Sequence, residues 1–63
     1  MYIIYKKENP TMLVMSLDTQ YNPQLTTNVE LAMKFTSQSA ADATITLMPG
    51  GDEFWGARPS KPK

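Results

Sequence analysis

The chain opens with two short apolar runs separated by a polar segment. Residues 2–6 and residues 11–17 are rich in β-branched, aromatic and other apolar side chains, a composition typical of strands. The segment between them, Lys7-Glu8-Asn9-Pro10, ends in Asn-Pro. Proline fixes its own backbone dihedral and disfavours the helical region for the residue before it. These features predict an N-terminal β-hairpin.

The alternation of residues along each strand puts apolar side chains on both faces of this hairpin. Successive residues of a strand point to opposite faces. In the first strand, Ile3 and Tyr5 lie on one face, and Tyr2 and Ile4 lie on the other. In the second strand, one face carries Leu13, Met15 and Leu17, and the opposite face carries Met12, Val14 and Ser16. A helix layer covers only one face of a two-stranded ribbon, so the second face needs another cover. Either the chain's own C-terminal residues fold across it, or it is the surface of a dimer or of another partner.

The middle of the chain predicts a helix that begins at a capping box. Thr27-Asn28-Val29-Glu30 matches the Thr-x-x-Glu pattern, in which the two side chains satisfy free N–H groups of the first turn. Val29, Ala32 and Met33 then fall on one stripe, and Phe35 has the spacing to join an adjoining side. We therefore expect a core-facing helix from Thr27.

After Phe35 the pattern favours a break at Ser37 and a second helix that begins near Gln38. Ala41, Ile45 and Met48 would then line one face, and Pro49-Gly50-Gly51 would end the helix. The alternative is a strand over residues 44–48, whose branched side chains and alternation suit a half-buried strand equally well.

The predicted fold class is therefore α+β, a small single domain in which the N-terminal β-hairpin packs on one broken helix or two short helices. An additional C-terminal strand is compatible with this pattern. We place the domain at residues 1–57. Residues 58–63 form a basic, proline-containing tail, and terminal segments of this composition are usually disordered.

Composition narrows the possible functions, because the 63 residues include no histidine and no cysteine. A nucleophile would need Ser or Thr beside Lys, or a carboxylate pair, in a desolvated cleft that so short a chain hardly builds. We therefore expect that this protein is not an enzyme and that it has neither a cofactor nor a metal site. Six basic residues balance six acidic ones, which makes nucleic acid a less favoured partner. Because no apolar run or leader pattern suggests a membrane segment, we expect a cytoplasmic protein.

The candidate partner-binding residues are Phe54, Trp55, Arg58 and Tyr21. Phe54 and Trp55 are adjacent and lie between glycines, and Arg58 follows them. Aromatic residues and arginine are the types in which binding energy concentrates. The alternative is that Phe54 and Trp55 cover the second face of the hairpin, and both interpretations hold in part if one ring points inward and the other outward. Tyr21 could stack on a base if exposed.

Two spaced patterns resemble those of a group of known proteins. Tyr2 and Ile4 form a Tyr-x-Ile start, and Ala32, Phe35, Ser37 and Ala41 form Ala-x-x-Phe-x-Ser-x-x-x-Ala. In these features the chain resembles small phage- and prophage-encoded proteins, mostly of unknown function, some of which inhibit host defence systems. The resemblance covers about residues 2–48 and implies a hairpin packed on a broken helix. It does not extend to Phe54 and Trp55.

These observations lead to the expectation of a non-enzymatic small binding protein. The first hypothesis is a phage-type accessory protein, acting in the host cytosol, that inhibits a larger host protein by occupying its surface. A component of a bacterial defence system such as CRISPR would be an example. The alternatives are a small homo-oligomer that binds nucleic acid or a nucleotide signal, and a structural subunit of a phage assembly.

Overall fold

The fold is a four-stranded antiparallel sheet with a helix packed on one face. The computed structural model describes residues 1–60. The elements, in chain order, are β1 (Tyr2–Lys6), β2 (Asn9–Leu17), β3 (Pro23–Thr26), a 3-10 helix (Val29–Leu31), α1 (Gln38–Leu47), α2 (Gly51–Phe54) and β4 (Trp55–Pro59). The strand order is β3-β2-β1-β4. The predicted α+β class, with its N-terminal hairpin and an additional C-terminal strand, is confirmed.

The hairpin turn is shorter than predicted, because β2 begins at Asn9 and leaves only Lys7 and Glu8 in the turn. Tyr5 pairs with Leu13 and Lys6 pairs with Asn9, so β2 carries three unmatched residues between these pairs. Bulges of this kind bend a strand and change which side chains share a face.

A second bulge in β2 overturns the simple alternation expected from the sequence. Val14 pairs with Leu25 and Ser16 pairs with Gln24, which makes Met15 an extra residue. One extra residue moves every later side chain to the opposite face. Leu17 consequently packs against the cluster that contains Val14 and not against the one that contains Leu13.

The predicted helix from Thr27 is wrong, since only a 3-10 turn of three residues forms there. Asn28, not Thr27, caps this turn, and its Oδ1 accepts the backbone N–H of Glu30 at 2.9 Å. The chain then becomes extended. Met33 donates its N–H to the carbonyl of Val14 at 2.9 Å, and Phe35 exchanges two backbone hydrogen bonds with Tyr2 at 2.7 and 2.8 Å. Pairing with the sheet therefore overrides the local helix signal.

Helix α1 begins and packs as the sequence predicts. Ser37 is its N-cap, and the Ser37 Oγ accepts the backbone N–H of Ala40 at 3.2 Å. Ala41, Ile45 and Met48 are all buried. The predicted start of this helix near Gln38 is confirmed, and the alternative of a strand over residues 44–48 is wrong.

The core lies on both faces of the sheet and is closed within this single chain. On the helix-covered face, the buried residues are Ile4, Val14, Ala41, Ile45, Met48 and Trp55. On the other face, Ile3 and Leu13 are 0% and 1% exposed and pack with Ala32 and Tyr5. The segment around Ala32 therefore covers this second face of the sheet. The expectation that C-terminal residues or another molecule cover it is corrected.

Strand β4 continues past the predicted domain boundary. Arg58 pairs with Ile3, Pro59 pairs with Tyr2, and Ser60 donates its N–H to the carbonyl of Met1 at 2.8 Å. The boundary predicted after Ala57 therefore lies inside β4. The remainder of the predicted tail, residues 61–63, lies outside the described residues. Among residues 1–60, no helix has the length and apolar character that crossing a membrane requires.

Candidate partner-binding site

An open groove lies between the hairpin turn and helix α2. Its volume is about 760 Å³. We call it the aromatic groove, and its lining residues are Lys6, Lys7, Glu8, Pro49, Gly50, Glu53, Phe54 and Trp55. One wall is the hairpin turn, and the other is the Pro49-Gly50 turn with α2.

Lys7 joins the two walls of the aromatic groove. Its backbone N–H donates to the carbonyl of Phe54 at 2.9 Å, one step beyond the pairing of β1 with β4. Its side-chain Nζ donates to the carbonyl of Asp52 at 2.6 Å. A single residue of the hairpin turn therefore positions the backbone of α2 at two points.

Gly50 allows the ring of Phe54 to lie close against the turn between α1 and α2. Gly50 has a left-handed backbone with φ +87°, and a Cβ placed on it would collide with the Phe54 ring. Only glycine adopts this conformation without strain and leaves room for the ring. Phe54 nevertheless remains 57% exposed.

The two adjacent aromatic residues point in opposite directions. Trp55 is 5% exposed and belongs to the core on the helix-covered face. Its indole Nε1 donates to the carbonyl of Pro49 at 2.8 Å. Phe54 thus offers its surface to solvent, whereas Trp55 supports the groove from beneath.

The charges that line the aromatic groove are balanced. The lining residues include two cations, Lys6 and Lys7, and two carboxylates, Glu8 and Glu53. The Lys7 ammonium is directed to the carbonyl of Asp52, which leaves Lys6 as the other cation of the hairpin wall. Glu53 is the carboxylate of the α2 wall.

The other two predicted residues lie away from this groove. Arg58 shares a face of β4 with Gly56, the face opposite Trp55, and its guanidinium is 5.6 Å from the centroid of the Tyr5 ring. Tyr21 lies in the loop that joins β2 to β3, at the opposite end of β2 from the hairpin turn. The four candidates therefore do not form one surface, and a binding role for Arg58 or Tyr21 stays a prediction.

The loop that carries Tyr21 is organised by Asp18. The Asp18 Oδ1 accepts the backbone N–H groups of Gln20 at 2.8 Å and Asn22 at 2.9 Å. These hydrogen bonds hold the pKa of the Asp18 carboxyl below its usual value because they stabilise the ionised form. The bond from Asn22 has the largest effect, and the bond from Gln20 has the next largest. Tyr21 itself has φ +64° and is 37% exposed.

Sequence reasoning missed most of the groove walls, including Lys6, Glu8, Pro49 and Glu53. The Asn-Pro and Pro-Gly-Gly signals identify two turns, but neither signal shows that the turns are neighbours. That proximity follows from the pairing of β1 with β4.

No cluster of three or more acidic side chains in residues 1–60 could hold a metal ion. In the same part of the chain, every buried side-chain nitrogen or oxygen has a hydrogen-bond partner. Comparison with protein-family models, curated proteins and solved structures finds no match to this chain.

Proposed function

We propose that this protein is a non-enzymatic binding protein that uses the aromatic groove to occupy the surface of a larger protein. The observation that carries the proposal is the exposure of Phe54, 57% of whose surface is open, beside a groove of about 760 Å³. Phenylalanine is a large apolar side chain, and aromatic residues are enriched in the buried cores of protein interfaces.

The backbone around Phe54 supports this role. The carbonyl of Phe54 accepts the N–H of Lys7, and the ring lies against Gly50. A side chain that is already held in place loses little conformational entropy on association. Phe54 is therefore a preorganised anchor in the proposed contact surface.

The more specific proposal is that the larger protein is a host protein and that binding inhibits it. The sequence resemblance to small phage-encoded proteins supports this proposal, with a bacterial defence component, such as one of a CRISPR system, as the target class. A chain of 63 residues can inhibit by covering a functional surface, which requires binding energy but no catalytic group.

The test is affinity capture from a bacterial host lysate with three forms of the tagged chain. They are the wild type, Phe54→Ser and the control Leu31→Ser. Leu31 is also 57% exposed but lies on the 3-10 helix and does not line the groove. We expect the wild type and Leu31→Ser to retain one stoichiometric host protein at high salt, and Phe54→Ser to lose it.

A purified target should then lose activity when the wild type is added and keep it with Phe54→Ser. Equal capture by Phe54→Ser and the wild type would contradict the proposal. Retention of nucleic acid alone, released as the salt concentration rises, would favour the nucleic-acid-binding alternative.

A further inference from the structure

The four-stranded sheet has two open edges in residues 1–60. The strand order β3-β2-β1-β4 puts β3 at one edge and β4 at the other. In an edge strand, every second residue directs its backbone N–H and C=O away from the sheet. Such outward groups can pair with a strand of another molecule, which makes an open edge a starting point for aggregation.

The hydrogen bonds at the two ends of β4 identify its outward residues. Lys7 donates its N–H to the carbonyl of Phe54 at 2.9 Å, and Ser60 donates its N–H to the carbonyl of Met1 at 2.8 Å. Hydrogen-bonded and non-hydrogen-bonded pairs alternate along an antiparallel ladder. Phe54, Ser60 and every second residue between them therefore face β1. The outward residues of β4 are Trp55, Ala57 and Pro59.

Only one of these three residues offers an outward N–H. Pro59 has no backbone N–H, and the N–H of Trp55 already donates to the carbonyl of Gly51. Ala57 is the remaining donor of this edge. A regular antiparallel ladder uses both the N–H and the C=O of each outward residue, so a further strand can form only an interrupted ladder on β4.

The β3 edge is interrupted in the same way. Asp18 donates its N–H to the carbonyl of Asn22 at 3.2 Å, and the next pair along the ladder joins Leu17 to Pro23. By the same alternation this second pair is not hydrogen-bonded, so Pro23 faces outward. Leu25, two residues further on, is the other outward residue of β3 and supplies its single outward N–H.

We propose that Pro23 and Pro59 prevent the sheet from pairing edge to edge with other copies of this chain. Each proline stands at an outward position of an edge strand, where it removes a donor and interrupts no hydrogen bond inside the sheet. The prolines leave one outward donor on each edge, which is too few for a continuous ladder. The aromatic groove takes no part in this inference.

Sedimentation velocity from micromolar to millimolar protein tests the proposal with Pro23→Thr, Pro59→Thr and the double variant. Threonine restores the N–H, and its side chain suits a strand. Each single variant should self-associate at least roughly tenfold more strongly than the wild type. The double variant should form larger assemblies, because a molecule with two usable edges can add a copy at each.

Two control variants carry the same new side chain beside each proline. Gln24→Thr changes the residue that pairs with Ser16 in β3, and Ser60→Thr changes the residue that donates to the carbonyl of Met1. The N–H of each control position faces into the sheet, so neither change adds an outward donor. Both controls should remain as monomeric as the wild type. Circular dichroism confirms that every variant is folded.

Hydrogen exchange then locates the contact in the associated variants. The amide of Ala57 should become protected in Pro59→Thr, and the amide of Leu25 should become protected in Pro23→Thr. In the monomeric wild type both amides should exchange rapidly, because both face outward.

Three results would overturn the inference. They are proline variants that stay as monomeric as the controls, controls that associate as strongly as the proline variants, and association that leaves the outward amides unprotected. None of these measurements involves Phe54 or a host protein. The proposed function is therefore unaffected by their outcome.

Discussion

The ring of Tyr5 lies directly over Gly56, its partner on the neighbouring strand of the β1–β4 pair. A Cβ on Gly56 would stand 2.6 Å from the Tyr5 Cζ, closer than packed carbon atoms approach. The same ring has the Arg58 guanidinium 5.6 Å from its centroid, within the range of a cation–π contact. Gly56 thus allows Tyr5 to complete the cover over the second face of the sheet.

Replacement of Gly56 by alanine should therefore destabilise the protein by about 1 to 2 kcal/mol, because the half-buried Tyr5 ring has to move. Urea unfolding measures the change. In a Tyr5→Ala background the same replacement should be close to neutral, since the obstructing ring is gone. An equal loss of stability in both backgrounds would show that the ring is not the cause.

Phe54 and Trp55 should differ sharply in their effect on stability. Phe54→Ala should lower the free energy of unfolding by less than about 1 kcal/mol because the ring is mostly exposed. Trp55→Ala should lower it by about 3 to 5 kcal/mol because it opens a cavity in the core. Trp55→Phe keeps an aromatic ring but loses the hydrogen bond to the Pro49 carbonyl. Its free energy of unfolding should therefore lie between those of Phe54→Ala and Trp55→Ala.

Urea unfolding followed by circular dichroism compares the three variants without relying on tryptophan emission. A large loss of stability in Phe54→Ala would mean that this ring serves the core, and it would contradict the role of Phe54 as a binding anchor.

The Asp18 loop should make part of the stability depend on pH. Hydrogen bonds from the backbone of Asn22 and Gln20 lower the folded-state pKa of Asp18 below its usual value of 3.8. A carboxyl with a lowered folded pKa stabilises the protein above its unfolded pKa, and that contribution is lost as the pH falls through the folded pKa. The melting temperature of the wild type should therefore exceed that of Asp18→Asn at neutral pH, and the difference should shrink below pH 3.8.

Differential scanning calorimetry of both proteins at several pH values measures this effect. A difference that stays constant down to the most acidic pH would show that the charge of Asp18 does not contribute.

The N-cap of α1 should account for a measurable part of the stability. Ser37→Ala removes the hydroxyl that accepts the backbone N–H of Ala40, and loss of such a cap costs about 1 kcal/mol. Thr36→Ala changes the exposed neighbouring residue and should have little effect. Thermal unfolding of the two variants should separate them, and equal melting temperatures would argue against the cap.

Lys34 should stabilise the segment that covers the second face of the sheet. Its Nζ donates to the carbonyls of Val29 at 2.8 Å and Ala32 at 2.9 Å. Lys34→Met keeps the aliphatic chain and removes these hydrogen bonds together with a longer one to the carbonyl of Glu30 at 3.5 Å, so it should lower the free energy of unfolding by about 1 kcal/mol. Hydrogen exchange should also become faster at the amides of residues 31–33. Unchanged exchange there would show that Lys34 does not hold the segment.

The aromatic pair shows how far the candidate site could be predicted. The sequence left open whether Phe54 and Trp55 bind a partner or cover the core, with both true in part if one ring points inward. The structure places Trp55 inside and Phe54 outside. The neighbouring residues Lys6 and Glu53 carry no local signal of this kind. They reach the same groove because β4 pairs with β1, a contact between distant parts of the chain.

The sequence by itself determined the elements that depend on neighbouring residues. The hairpin follows from its apolar runs and polar turn. The cap at Ser37 and the spacing of Ala41 and Ile45 favoured α1, although a strand over residues 44–48 stayed open until the structure decided for the helix. These signals act over a few residues, where hydrogen bonds and side-chain periodicity decide the conformation.

Only the tertiary structure decided the conformation of residues 27–35 and the arrangement of the two sheet faces. The capping-box signal at Thr27 yields to backbone hydrogen bonds from Met33 to Val14 and between Phe35 and Tyr2. Extending the chain there places Ala32 over the second apolar face. Burial of that face and completion of distant hydrogen bonds outweigh a weak local helix preference, which is small for each residue.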